Sequence, residues 1–291
     1  LEKLRSRMRE NNIHYYIIPT NDYHLSEYVG EYFGARKYMS GFTGSAGVLL
    51  VGLDQAGLWT DGRYYIQAER QLEGSTITLF KQGSEGVPSM EDYLKSILKD
   101  GENVGFDGRV IPAKMGCGLE AFVNSRGGQV IYDKDLVGEI WEDRPELSME
   151  PAFLLDEKYA GESAASKLAR VREQMAQKGA HVHVLTSLDD IAWLLNIRGN
   201  DVACNPVVLS YAAVTADQVY LFAHAQKFDS AMKDYFSKNG VCLMPYNDIY
   251  EWLKAVPAKT CVMYNKEKIN YAIYKNISAD CPVVDCENPT L

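Results

Sequence analysis

An internal repeat constrains this chain more than any other feature of its sequence. Leu1, Leu4 and Met8 recur at helical spacing, and an apolar run from Ile13 to Ile18 follows across Asn11-Asn12. Leu168, Val171 and Met175 repeat that spacing, and the run from Val182 to Leu185 follows across Lys178-Gly179. The two segments superpose with Met8 on Met175 and His14 on His181, each reading as amphipathic helix, turn and buried strand. Later parts echo each other as well. Ser89 can cap a helix carrying Met90, Leu94 and Ile97; a strand over 104–106, a helix with Met115, Leu119 and Phe122, and a strand from Val130 follow. In the second half, Asn247 or Asp248 can cap a helix with Ile249, Trp252 and Leu253. The strand Cys261-Val262-Met263, a helix with Ile269, Ile273 and Ile277, and the strand 283–285 complete the echo. Helices alternating with short strands predict α/β layers on a mostly parallel or mixed sheet, and two such units predict a duplication.

A length of 291 residues suits two domains, each large enough to bury a core without disulfide staples. We place the first over 1–141, a linker over 142–162 and the second over 163–291; the join contains Pro145 and Pro151 among charged residues. A net charge of −9 argues against the basic face of a nucleic-acid binder and against a polybasic membrane surface. No apolar run approaches the roughly 18 residues of a membrane span, and Leu1-Glu2-Lys3-Leu4 is unlike the apolar stretch of a signal peptide. The missing initiator Met predicts a processed or cut chain. The six cysteines form no Cys-x-x-Cys and sit mostly in apolar runs, the pattern of reduced, buried thiols in a cytosolic protein.

Three segments could carry chemistry. Ser40-Gly41-Phe42-Thr43-Gly44-Ser45-Ala46-Gly47 has a glycine at every third position and could form an anion-binding nest. It leads into Val48–Val51, which reads as a strand rather than the helix a phosphate loop requires, so a tight turn for close packing is expected. In the segment 58–68, Leu58-Trp59 ends a strand able to pair with Val48–Val51 across an Asp54–Gly57 turn. Thr60 or Asp61 then caps a helix running to about Leu72. Arg63 falls in the first helical turn on this reading, where a cation opposes the helix dipole. Either a structural carboxylate, such as Asp61, or a ligand anion answers that placement. The third segment, Leu188–Val207, combines a helical face of Ile191, Leu194 and Leu195 with a polar loop of Arg198, Asn200, Asp201 and Asn205. That loop is either a surface site or a loop tied to its own backbone by Asn and Asp side chains. His181-x-His183 places two rings on one strand face, but no third metal ligand matches them. By spacing alone the chain shows no catalytic constellation.

Taken as long motifs, the same residues resemble a family. Tyr38–Gly47, followed by Trp59-Thr60-Asp61-Gly62-Arg63-Tyr64-Tyr65-Ile66-Gln67-Ala68, is similar to the signature of the Xaa-Pro aminopeptidases, or aminopeptidase P. Ile140–Pro145 resembles that family's exit from its first domain, and Asp190–Gly199 with Asp201 and Asn205-Pro206-Val207 resembles its second. The resemblance implies an α/β fold of two tandem three-layer α/β/α domains with mixed sheets, of the creatinase/prolidase N-terminal type. It implies too that the C-terminal pita-bread domain is absent, along with its two divalent metals, usually manganese, and the two Asp, one His and two Glu that bind them. No catalytic residue and no metal ligand is therefore carried over. One substrate-binding residue is: Arg63 matches an arginine that reaches toward the bound peptide. The resemblance further implies a non-catalytic part of a cytoplasmic metallo-aminopeptidase that removes a residue preceding proline. Its roles would be to shape the cleft for short peptides with proline second and to form subunit contacts in a homo-oligomer. A stand-alone peptide- or protein-binding module and an oligomerisation domain are the alternatives.

Overall fold

The computed structural model describes residues 1–290 and divides into two compact units. One contains residues 1–22 and 31–146; the other contains Tyr23–Gly30 and the residues from Leu147 onward. In chain order the first half runs α1 (Glu2–Glu10), β1 (Tyr15–Pro19), α2 (Ala35–Ser40), β2 (Val48–Gly52), β3 (Ala56–Thr60), α3 (Tyr65–Leu72), β4 (Thr78–Lys81), α4 (Met90–Ile97), β5 (Val104–Phe106), α5 (Ala113–Ser125) and β6 (Val130–Ile131). The second half runs β7 (Phe153–Leu154), α6 (Glu157–Ala160), α7 (Ala164–Gln177), β8 (Val182–Leu185), α8 (Leu188–Leu195), β9 (Ile197–Arg198), β10 (Tyr211–Val214), β11 (Val219–Phe222), α9 (Ser230–Lys238), β12 (Val241–Met244), α10 (Ile249–Lys254), β13 (Val262–Tyr264), α11 (Tyr271–Asn276) and β14 (Val283–Asp285).

Each unit is built on a six-stranded sheet, in the orders β4-β3-β2-β1-β5-β6 and β12-β11-β10-β8-β13-β14. The directions repeat strand for strand. β1 is antiparallel to β2 and parallel to β5, just as β8 is antiparallel to β10 and parallel to β13. Both sheets are therefore mixed, and the duplication read from the sequence is present in the fold. It extends to single side chains. His14 Nδ1 accepts the backbone N–H of Asn103 at 3.1 Å, and His181 Nδ1 accepts that of Cys261 at 3.0 Å. Each of the two histidines thus ties the entry of a central strand to its parallel neighbour.

Both faces of the first sheet are covered, which is why β1 and β3 are buried at every position. Tyr16, Ile18, Leu49, Val51 and Leu58 pack with Leu4 and Met8 of α1 and with Ala68 and Leu72 of α3. On the opposite face, Tyr15, Leu50 and Gly57 line a small cavity together with Tyr93 and Ile97 of α4. Two aromatic rings lie over strand glycines there. A Cβ at Gly52 would stand 3.2 Å from the Tyr15 ring, and one at Gly57 would stand 2.7 Å from the Phe80 ring. In the second unit Leu168, Val171 and Met175 of α7 are fully buried against Leu185, Ala212, Val214 and Leu221. Burial of each such side chain contributes about 1.5–3 kcal/mol.

Several boundaries differ from expectation for local reasons. The β2–β3 hairpin forms in the expected register, Val48 opposite Trp59, but Gly52 N–H donates to Gln55 O at 2.8 Å and so tightens the turn to Leu53-Asp54. Ser89 caps α4 as expected, accepting the Asp92 N–H. α11 is capped instead by Asn270, whose side chain accepts the Ile273 N–H, so it starts at Tyr271, beyond Ile269. Within 142–162, β7 pairs with β9 and α6 forms a single turn capped by Asp156. Tyr23–Gly30 is tied into the second unit by buried contacts: Tyr23 O accepts Asn270 Nδ2, His24 Nδ1 lies 3.0 Å from Thr186 O, and His24 Nε2 lies 2.6 Å from the Tyr246 hydroxyl.

Candidate functional site

The strongest candidate lies where β3 ends in Asp61-Gly62-Arg63. The expected helix runs to Leu72, but it begins later than its capping pattern suggested. Asp61 Oδ1 accepts the Arg63 N–H at 3.0 Å and Arg63 Nε at 2.9 Å, while Oδ2 lies 2.8 Å from Nη2. This closed turn consumes the residues that would have started the helix, so Tyr64 becomes the N-cap and Arg63 stands just before the first helical turn. The bidentate grip fixes the plane of the guanidinium. Arg63 supplies the largest cause of the fall of the Asp61 carboxyl below its ordinary range, a side-chain hydrogen bond. The Arg63 side chain remains 67% exposed, so the turn presents a fixed cation to solvent.

Beneath and beside it sits the glycine-rich loop. Arg36, only 4% exposed, donates from Nε to Thr20 Oγ1 at 2.7 Å, from Nη1 to Phe42 O at 2.9 Å and from Nη2 to Gly44 O. Its ring contact is Phe42, with Cζ 4.7 Å from the centroid. Burial pulls the Arg36 guanidinium down to about 10. From the other side, Gln67 and Gln71 of α3 each donate to Thr43 Oγ1 at 2.8 Å, and Gln71 Oε1 accepts the Thr43 N–H at 2.9 Å. Gly44 has no room for a side chain: a Cβ there would stand 2.3 Å from Phe42 and 2.9 Å from Tyr64. The loop is thus the close-packed turn expected, clamped by Arg36 and by α3.

Asp-Gly-Arg occurs twice, which the sequence reading missed. Asp107-Gly108-Arg109 follows β5, and Asp107 Oδ1 accepts both the Arg109 N–H and Nε at 2.9 Å, repeating the geometry of the first turn. β3 and β5 both run parallel to β1, so both turns stand at the same end of the sheet, three strand spacings or about 14 Å apart. Their surroundings differ. Arg109 Nη2 also lies 3.6 Å from Asp135, which pairs with Arg144 at 2.6 Å, and Arg109 is 33% exposed. That turn is built into an ionic network, whereas Arg63 is turned outward.

The polar loop of the second half is consumed internally. Asp201 is buried, with Oδ1 on Lys227 Nζ and Oδ2 accepting the Leu209 N–H at 2.7 Å. Lys227 Nζ also donates to Ser148 O at 2.7 Å. Arg198 Nη1 donates to Ala192 O at 2.6 Å and Ile197 O at 2.9 Å, at the end of α8, and Asn205 Nδ2 reaches Asp189 Oδ1 at 3.3 Å. Asp201 thus ties the loop to its own backbone at Leu209, as one of the two readings expects, while Arg198 and Asn205 tie it to α8. His181 and His183 have separate roles: His183 is fully buried, Nδ1 donating to Met263 O at 3.1 Å, and burial pulls it down to about 4. Among the described residues, no group of three or more His, Cys, Asp or Glu is arranged to hold a metal ion. No described helix is long and apolar enough to cross a membrane.

Comparison with known proteins connects this geometry to a family. Models of the creatinase/prolidase N-terminal domain match twice, over residues 1–127 and 143–291. A probable Xaa-Pro aminopeptidase P of Coprinopsis cinerea is 38% identical over 92% of this chain and 43% of its own length. Aminopeptidase P2 of Arabidopsis thaliana is 38% identical over 91% of this chain and 38% of its own length. The crystal structure of the X-prolyl aminopeptidase of Caenorhabditis elegans, a cytosolic enzyme with a di-nuclear active site, superposes with a TM-score of 0.90. It is 32% identical and covers 98% of this chain and 50% of that one. The chain thus spans half or less of the length of these relatives. With two tandem matches, one over each half of the chain, the chain belongs to the creatinase/prolidase N-terminal domain family.

Proposed function

We propose that this chain is the non-catalytic, substrate-shaping part of a cytoplasmic, metal-dependent Xaa-Pro aminopeptidase. Its task is to wall the cleft that admits short peptides with proline second and to supply subunit contacts in a homo-oligomer. The two divalent metals, manganese in this reading, supply the hydrolytic chemistry from polypeptide outside these residues. In functional terms the first domain covers 1–141 and the second 163–291, joined by 142–162.

The observation that carries this reading is the Asp61–Arg63 turn within a chain related along most of its length to Xaa-Pro aminopeptidases. A guanidinium whose plane is set by a bidentate carboxylate loses little freedom on meeting a ligand oxygen. Arg63 thereby orients the peptide by charge-assisted hydrogen bonding, which accelerates a reaction by holding substrate in a productive pose. The test is Arg63→Ala in an enzyme that contains this chain together with the catalytic part. We expect kcat/KM for a proline-containing tripeptide to fall by about ten- to a hundredfold, the loss of a charged contact, with metal content and thermal stability unchanged. Unaltered peptide kinetics would overturn the assignment of Arg63.

A further inference from the structure

We propose that Ser45 and Tyr64 form an oxygen-binding hydroxyl pair that works beside Arg63 to hold the C-terminal carboxylate of a short peptide. This rests on the reading of Arg63 given above and names the chemical group recognised there. Ser45 Oγ and the Tyr64 hydroxyl lie 2.6 Å apart on the exposed side of the glycine-rich loop. Two hydroxyls carry two hydrogens, and the bond between them uses one. The second is left to donate, and an incoming oxygen is what it would meet. Arg63 Cζ lies 5.2 Å from the centre of the Tyr64 ring, so the hydroxyl pair and the fixed guanidinium border the same patch.

Charge favours an anion at this place. Arg36 lies under the loop and, among the described residues, makes no ion pair with a carboxylate; its contacts are the neutral oxygens of Thr20, Phe42 and Gly44. Asp61 is matched by Arg63. Arg36 and Arg63 against Asp61 leave an excess of one positive charge among these three groups, in a chain whose total is −9. Because Gly44 O accepts from Arg36 and the peptide bond is trans, the Ser45 N–H points away from that guanidinium. Gly44 keeps the loop close enough for the pair to form, since a Cβ there would strike the Tyr64 ring. A carboxylate suits this set better than a neutral carbonyl, because its charge strengthens the hydrogen bonds it accepts and its two oxygens let the guanidinium and the hydroxyl each take one.

The test compares Ala-Pro-Ala as the free acid with its C-terminal amide, titrated into isotope-labelled chain and followed by the Ser45 and Arg63 N–H resonances. The free acid should bind about three- to tenfold more tightly than the amide, and Ser45→Ala and Tyr64→Phe should each remove most of that preference. Tyr64→Phe keeps the ring against Phe42, so loss of preference in that variant reports the hydroxyl. Equal binding of acid and amide to the parent chain, or an intact preference in Tyr64→Phe, overturns the proposal. Loss of preference in Arg63→Ala with retention in Tyr64→Phe overturns the hydroxyl pair and leaves the role of Arg63 standing. The opposite pattern supports the pair and removes Arg63 from substrate contact.

Discussion

Replacing Asp201 by Asn should weaken the second unit more than any surface charge change. The carboxylate and the Lys227 ammonium are 1% and 0% exposed, so the pair is fully desolvated. Asn keeps the size and one oxygen, which can serve either the Leu209 N–H or Lys227 but not both as the carboxylate does. A buried ammonium is left without a countercharge, held by the neutral Ser148 O. Breaking a buried pair from one side costs about 3–5 kcal/mol. For a unit of about 150 residues this lowers Tm by roughly 6–20 °C. Hydrogen exchange at β10 and β11, which share this unit, reads the loss locally, and calorimetry reads it globally. Adding Lys227→Met to the Asn variant should recover part of the loss, because the stranded charge is then gone. A loss below about 1 kcal/mol, or no recovery in the double variant, would refute the claim that the charge is sealed from water.

Two further outcomes follow from named contacts. His183 is held neutral by burial, at about 4 against an ordinary 6.5. Its folded value is depressed, so its contribution is fully present above 6.5 and is lost as pH falls toward 4, where the unfolded chain takes up a proton that the folded chain does not. At about 1.4 kcal/mol per unit, roughly 3 kcal/mol is involved. Denaturant titrations across that range should show a steeper pH dependence for the parent than for His183→Asn, and equal slopes would count against it. Gly44→Ala should cost about 1–3 kcal/mol by overpacking against Phe42 and Tyr64, measured as a shift in the denaturation midpoint; a neutral result would mean the loop yields freely.

Much of the fold was legible because it is written in local periodicity. The Met8/Met175 and His14/His181 correspondences predict a duplicated helix–strand unit, and both sheets repeat the same order. The start of α3 was not, because its first residues are taken by the Asp61–Arg63 turn, and a side chain closing on its own backbone competes with helical hydrogen bonding. Nor was the Ser45–Tyr64 pair, whose members are 19 positions apart and are brought together by a loop that Arg36 and Gln71 hold in place. Asp201 reads in sequence as one polar residue among several in a loop; its partner Lys227 lies 26 positions on, past two strands. A repeated Asp-Gly-Arg was visible throughout, and only burial tells its two copies apart.

The excursion of Tyr23–Gly30 bears on how this polypeptide can be dissected. Excising the second half at residue 146, the boundary that linear order suggests, discards an eight-residue piece that it owns. Asn270 Nδ2 is then stripped of the Tyr23 carbonyl that satisfies it, and the Tyr246 hydroxyl loses one of its partners, the His24 ring. A buried polar atom so orphaned costs about 1–3 kcal/mol, a large share of what keeps a domain of this size folded. A faithful expression boundary here is not a point along the chain but a pair of segments, so a circularly rearranged gene reproduces the native lobe better than a simple truncation does.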